Sequence, residues 1–274
     1  MSGRDGTPDT GALLDVAVEA AQAAGGHALQ QWARRDQVVE RSAHDVKLRL
    51  DLECQQIAEK VVSAAFPAHA LLAEEDLPRA QPATAPNSDY QWVIDPIDGT
   101  VNFLHGLPFW CCSVACRHRG EAVAGVVFAP MLEQLYQAAA DQPAVCNGEP
   151  IRVSTAAALS AAMILSSMDM DLWPGYEPLC IFKEIVAQSR KARILGAAAL
   201  DLCLVAAGRA DGYFESAVRV WDVAAGDLIV RQAGGRTETL RGPDPIHRLA
   251  FLASNGRVHE PLKALIAPRL EEPA

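Results

Sequence analysis

Apolar residues fall first at helical spacing. Leu13, Val16, Ala17, Ala20, Ala24, Leu29 and Trp32 recur every few positions between residues 12 and 32, which predicts a long amphipathic helix with a weak point at Gly25-Gly26. Residues 1–9 ahead of it are polar and Gly-rich and are expected to fray. Val46-Lys47-Leu48-Arg49-Leu50 then alternates apolar and basic, and a new helical period runs through Ile57, Val61 and Ala65 to Phe66-Pro67, with Asp51 placed to cap it. Ala70-Leu71-Leu72-Ala73 and Tyr90-Gln91-Trp92-Val93-Ile94 read as short strands, separated by a Pro-rich surface loop over 78–87. From 109 to 154 the pattern is a meander of short strands, two of them at 123–128 and 134–138, with turns at Arg119-Gly120, Ala129-Pro130 and Asn147-Gly148. Beyond 154 strand, helix and strand alternate. Strands are expected at 161–167, 192–195 and 212–215, a helix on a basic, exposed face at 182–189, and an Ala/Leu-rich helix after a turn at Gly196. A helix starting at Trp221-Asp222, two strands at 236–240 and 249–253, and a helix at 258–266 close the chain. The implied organisation is α/β (α+β) in two parts, 1–154 and 155–274.

Composition adjusts this picture in three ways. At 274 residues the chain can bury a large core, and half its residues are hydrophobic. No apolar run approaches the roughly 18 residues of a membrane span, and the opening Met1-Ser2-Gly3-Arg4 lacks a signal-peptide layout, so a soluble, cytoplasmic protein without a membrane role is expected. Twenty-four Lys and Arg against 34 Asp and Glu leave a net charge of −10, which argues against bulk attraction to nucleic acid. The seven cysteines sit mostly within apolar runs and read as buried free thiols of a reducing compartment; Cys112 and Cys116 lie in a strand and no second pair with finger-like spacing follows.

The candidate chemistry lies in acids at element boundaries. Asp95-Pro96-Ile97-Asp98-Gly99-Thr100 follows the strand at 90–94; Pro96 and Gly99 make the loop stiff and tight, so Asp95 and Asp98 point into one space. Crowded carboxylates repel unless a cation lies between them, and such hard donors suit Mg²⁺, Mn²⁺ or Ca²⁺. The amides of Gly99 and Thr100, at a possible helix start, offer donors to an anion. The same residues are also preferred in a plain surface turn. Glu74-Glu75-Asp76 ends the strand at 70–73, as a solvated acid run or as part of the same site. Asp51 and Asp222 fit helix caps or site acids equally. His27 has no acid at i+3 or i+4 and reads as a packed or surface residue.

Taken together, Ala73-Glu74-Glu75-Asp76, Asp95-Pro96-Ile97-Asp98-Gly99-Thr100-Val101-Asn102-Phe103 and Trp221-Asp222-Val223-Ala224-Ala225-Gly226 resemble the three signatures of the inositol monophosphatase family, in order. Gly196-Ala197-Ala198-Ala199-Leu200-Asp201-Leu202 and Gly212-Tyr213-Phe214-Glu215 resemble its bacterial branch, so the likeness covers nearly the whole chain. The resemblance implies an α-β-α-β-α layered fold, Mg²⁺-dependent hydrolysis of a small phosphomonoester, sensitivity to lithium and a homodimer. It implies that Glu74, Asp95 and the Ile97 carbonyl hold one Mg²⁺, that Asp95, Asp98 and Asp222 hold a second, and that a weaker third lies near Glu74. Thr100, with Glu74 and Asp51, would orient the attacking water. Asp98, Gly99, Thr100, Gly196, Ala197, Glu215 and Asp222 would contact substrate, with Glu215 accepting from sugar hydroxyls.

The chain departs from the family pattern at four positions. Ala73 replaces the usual glycine before the first glutamate and Val101 a threonine of the loop, neither of which removes a ligand. Leu50 before Asp51 loses a hydroxyl near the third metal, and Ala197 loses one on the sugar side. Inositol 1-phosphate is the leading substrate; histidinol phosphate, 3′-phosphoadenosine 5′-phosphate, NADP and fructose 1,6-bisphosphate are alternatives, and a regulatory binding protein is the alternative of another class. The segment 167–176 matches no substrate loop.

Overall fold

The computed structural model describes residues 9–41, 46–76, 88–167, 178–244 and 247–271. The expected loop at 78–87 and most of the segment 167–176 lie outside them. Asp9 opens helix α1 (Thr10–Gln30), its carboxylate accepting from the Ala12 amide at 3.3 Å. Strands β1 (Val38–Arg41) and β2 (Val46–Leu48) pair antiparallel, β2 leading straight into α2 (Arg49–Ala65). There follow β3 (Ala70–Ala73), β4 (Tyr90–Asp98), the short α3 (Thr100–Leu104), β5 (Cys111–His118), β6 (Glu121–Ala129), β7 (Gln134–Ala139), β8 (Gln142–Cys146) and β9 (Glu149–Pro150). Strands β3 to β9 form one seven-stranded sheet in sequence order, β3 and β4 parallel and the rest antiparallel.

The second half brings β10 (Met163–Ser166), α4 (Pro178–Gln188), β11 (Lys191–Arg193), α5 (Ala198–Ala206), β12 (Gly212–Arg219), α6 (Val220–Gln232), β13 (Arg236–Arg241), β14 (Arg248–Ser254) and α7 (His259–Glu271). Its five strands run in the order β11-β10-β12-β14-β13, parallel on one side and antiparallel on the other. Helices α1 and α2 cover one face of the large sheet, α5 and α6 lie between the two sheets, and α4 and α7 pack together beyond the small one. This is the α-β-α-β-α layering that the resemblance implies.

The layers explain the helix patterns. Helix α1 buries Ala17, Ala20, Ala21, Ala24 and Ala28, small side chains that let it lie close on β5 and β6, and it runs unbroken through Gly25, which sits against Phe128. Helices α5 and α6 touch protein on both sides and bury most of their residues, as a middle layer requires. Helix α4, expected on a basic and exposed face, instead buries Ile181 and Ile185 against the outer core with Val258, Leu262 and Ile266. Five of the seven cysteines are buried and all are free thiols. Among the described residues no helix is long and apolar enough to cross a membrane.

The α5–α6 contact is tightest at Gly226. A Cβ there would stand 2.7 Å from the Leu202 Cβ and 2.6 Å from its Cδ1, so the helices meet only because the position is empty. Gly226→Val should lower the free energy of unfolding by at least about 2 kcal/mol, the upper range for overpacking, measured from urea midpoints. An unchanged midpoint contradicts this packing.

Candidate active site

The site grows from an irregularity in β4. The strand does not stop at Ile94 as expected but continues through both acids, and the register with β5 shifts between them: Asp95 lies opposite Ser113, whereas Asp98 lies opposite Cys111. Three steps on β4 match two on β5. Residues three apart on a regular strand face opposite sides, so the one extra residue is what returns Asp95 and Asp98 to the same side. Asp95 is 1% exposed and its Oδ1 accepts from the Ile97 amide at 3.1 Å. The Ile97 carbonyl accepts from the Thr100 hydroxyl at 3.0 Å, using one of its two lone pairs.

Asp98 is held by a segment about a hundred residues away in the chain. Its two oxygens accept from the amides of Ala198 at 3.1 Å and Ala199 at 2.8 Å, the first turn of α5, and Cys111 Sγ reaches Oδ2 at 3.4 Å. Burial raises its pKa to about 6 and these donors oppose the rise. Asp98 is thereby a helix cap in trans as well as a site acid.

Glu74 stands on the 3₁₀ turn that ends β3, which runs parallel to β4. Asp222 lies in the first turn of α6. Both Asp51 and Asp222, expected as N-caps, occupy the third helical position, and each accepts from the backbone amide three residues earlier: Leu48 at 2.7 Å and Arg219 at 2.8 Å. Ser113 of β5 donates to the Trp221 carbonyl at 3.3 Å, tying the start of α6 to the sheet. The turn carrying Asp51 joins the Glu74 turn through Lys47, paired with Glu75, and through Gln55, which accepts from the Glu75 amide at 2.9 Å.

Glu74, Asp95, Asp98 and Asp222 thus come together from three distant segments. The pKa of Asp95 is pushed well above the carboxylate range, by burial first and then by the charges of Glu74, Asp98 and Asp222. Asp222 is raised by burial, then by Asp98 and Glu74. Among the described residues no three acids, histidines or cysteines close on one point as ligands; Asp95 instead shares hydrogen bonds with Glu74 and Asp222. Such a cluster lowers its energy by taking up protons or a cation, and its donors are all hard oxygens, which fit Mg²⁺ and do not favour soft metals.

Gly99 has φ +88° and caps α3; a Cβ there would fall 3.1 Å from the Ala197 Cβ and from the Gly196 and Phe109 carbonyls. Gly99, Gly196 and Ala197 therefore form one floor. The clamp that holds it is Asn102, whose Nδ2 donates to the carbonyls of Phe109 and Leu195, both at 2.8 Å. Glu215, 8% exposed on β12, accepts from the Tyr213 hydroxyl.

Sequence reasoning passed over Asp201. It is 2% exposed in α5 and its pKa is raised by burial and by the charges of Asp98 and Glu215, so it lies between the acid cluster and Glu215. A lone acid in an Ala/Leu helix was the available signal. Tyr213 was legible as the same-face neighbour of Glu215, two residues away on a strand.

The chain matches the model of the inositol monophosphatase family over residues 9–272. The Nus factor SuhB of Pasteurella multocida is 36% identical over 228 residues, 81% of this chain and 83% of that protein. The inositol-1-monophosphatase of Synechocystis is 34% identical over 260 residues, 93% of this chain and 88% of that protein. The solved structure of the extragenic suppressor protein suhB from Bartonella henselae superposes with a TM-score of 0.83 at 32% identity, covering 95% of this chain and 99% of that one.

The raised acids set a pH dependence. A carboxyl whose folded pKa exceeds its unfolded value keeps its proton longer in the folded state, so stability falls as pH rises between the two values; for Asp98 that window runs from 3.8 to about 6. Metal-free protein should therefore melt at a lower temperature at about pH 7 than at about pH 5, and Asp95→Asn should raise the pH 7 value. Thermal melts in chelator test this; Asp95→Asn protein melting lower than wild type at neutral pH contradicts it.

Proposed function

The chain belongs to the inositol monophosphatase family and by that membership is a phosphatase; from this premise we propose that it is a Mg²⁺-dependent phosphomonoesterase acting on a small polyol monophosphate, with myo-inositol 1-phosphate the leading substrate. The observation that carries the reading is the meeting of Glu74, Asp95, Asp98 and Asp222, whose charges raise Asp95 and Asp222 together. Glu74, Asp95 and the Ile97 carbonyl would hold one Mg²⁺, and Asp95, Asp98 and Asp222 another, with a third near Glu74. Bound there, the ions supply a more acidic water and neutralise charge on the phosphate and the leaving oxygen.

The chain's own groups do the positioning. Thr100, anchored on the Ile97 carbonyl, holds its hydroxyl beside the acids and, with Glu74 and Asp51, orients the water for in-line attack. The Gly99 and Thr100 amides face the phosphate oxygens. Across the floor, Gly196 and Ala197 border the alcohol side, where Glu215 accepts from substrate hydroxyls while Tyr213 fixes its other contact. The hydroxyl-free side chain of Ala197 leaves this side with fewer polar contacts, so histidinol phosphate, 3′-phosphoadenosine 5′-phosphate, NADP and fructose 1,6-bisphosphate belong in the same test. We propose a homodimer on the resemblance, checked by light scattering, and a cytoplasmic location.

A regulatory binding role is the second reading, because the Pasteurella relative bears the name Nus factor SuhB. Turnover near zero on every substrate in the presence of Mg²⁺ selects it.

With Mg²⁺ and this substrate panel, inositol 1-phosphate should give the highest kcat/KM, and Asp95→Asn or Asp222→Asn should lower it at least about 100-fold, as expected for groups that hold a catalytic metal. Full activity in either variant sinks the metal assignment. Li⁺ at tens of millimolar should inhibit wild type; unchanged rates count against a site of this geometry.

A further inference from the structure

Helix α6 carries Asp222 on one face and a second lined space on another. Val220, Val223, Ala224, Asp227 and Arg231 follow the spacing of a single helical stripe, and at 100° per residue Asp222 lies roughly opposite it. That stripe forms one wall of a cleft of about 390 Å³ between the β5–β6 hairpin and strands β13–β14. The volume is within the range of small-molecule sites. Its floor is apolar: Val220, Val223 and Ala224 from α6 meet Leu249 and Phe251 from β14, each less than a tenth exposed.

One polar group in this wall stands apart from the others. Arg231 is closed by Asp227, with Nη2 to Oδ2 at 3.0 Å and Nε to Oδ1 at 3.3 Å. Glu238 is bound by Lys263 and by His259. Arg117 is half-buried, its Nε donates to the Gly120 carbonyl at 2.7 Å, and no carboxylate among the described residues closes an ion pair with it. Its surroundings disfavour the charge through burial, which the charges of Glu121 and Asp227 oppose. A guanidinium fork at the edge of an apolar floor presents two parallel donors to a planar acceptor.

We propose that this cleft is a second ligand site, separate from the acid cluster, that takes a small monocarboxylate with an apolar body: carboxylate on Arg117, tail on Val220, Val223, Leu249 and Phe251. A single negative charge fits better than two, because Glu121 and Asp227 flank the cation and repel a second charge, while among the described lining residues Arg117 is the cation that no carboxylate closes. An amine head would meet Arg117 with like charge. The site requires neither metal nor phosphate substrate.

The test is a titration of the whole metal-free protein with hexanoate, followed by ¹³C-methyl NMR of Val220, Val223 and Leu249. These methyls should shift saturably with a Kd below about 1 mM, whereas hexan-1-ol and hexylamine should bind at least tenfold more weakly. Arg117→Met should reduce hexanoate affinity to that of the alcohol, and Ala224→Leu, which fills the floor while leaving the cation, should weaken both hexanoate and hexan-1-ol. No saturable shift up to about 10 mM, or equal binding of acid and alcohol to wild type, overturns the proposal; the wild-type comparison decides even if a variant does not fold. Neither result depends on the phosphatase reading, since no turnover is measured.

Discussion

The repulsion among carboxylates brought to one place by three separate elements is the constraint on which the rest depends. Asp95 is buried beside Glu74, Asp98 and Asp222, and each neighbour raises the free energy of its charged form. No local sequence requires this; the fold imposes it. The bulge in β4 turns both aspartates to one side, the parallel pairing of β3 with β4 brings Glu74 alongside, and the Ser113 contact sets the start of α6 against the sheet. A fold that gathers buried acids must offset their mutual repulsion with protons or cations, and the all-oxygen donor set selects among cations.

The same elements give the site its rigidity. Asp98 is bonded to amides of α5, which belongs to the layer between the sheets, so the acid cluster is fastened to the middle of the molecule and not only to its own loop. Asn102 joins the α3 segment to the chain at Leu195, across 93 residues of sequence. Catalysis by positioning and charge stabilisation needs side chains fixed by their surroundings, and here the fixing bonds run mostly to backbone groups of regular elements.

Much of this was legible in the sequence, for identifiable reasons. The strands at 70–73 and 90–94 are marked by short apolar runs and α6 by helical spacing, and acids at their boundaries stand out against them. The errors had physical causes. Pro96 and Gly99 signal a turn, yet the ladder with β5 absorbs the irregularity as a bulge, so the expected loop is strand. Asp51 and Asp222 look like caps because an acid in the first turn satisfies free amides, but the bond runs backward to Leu48 and Arg219, which no spacing rule separates from a forward cap. Asp201 and the trans-capping of Asp98 rest on contacts about a hundred residues apart and have no local signature. The stretch 182–189 reads from sequence as a helix on a basic, exposed face, whereas Ile181 and Ile185 decide how α4 packs.

If the acids are held together at the expense of their charge, a divalent cation entering the cluster must displace protons. Calorimetric titration of the chelated protein with Mg²⁺ at about pH 6, in buffers of different ionisation enthalpy, measures that displacement directly. The account predicts net proton release on binding, diminished in Asp95→Asn. Binding with no proton release, or release unaffected by that substitution, would contradict it.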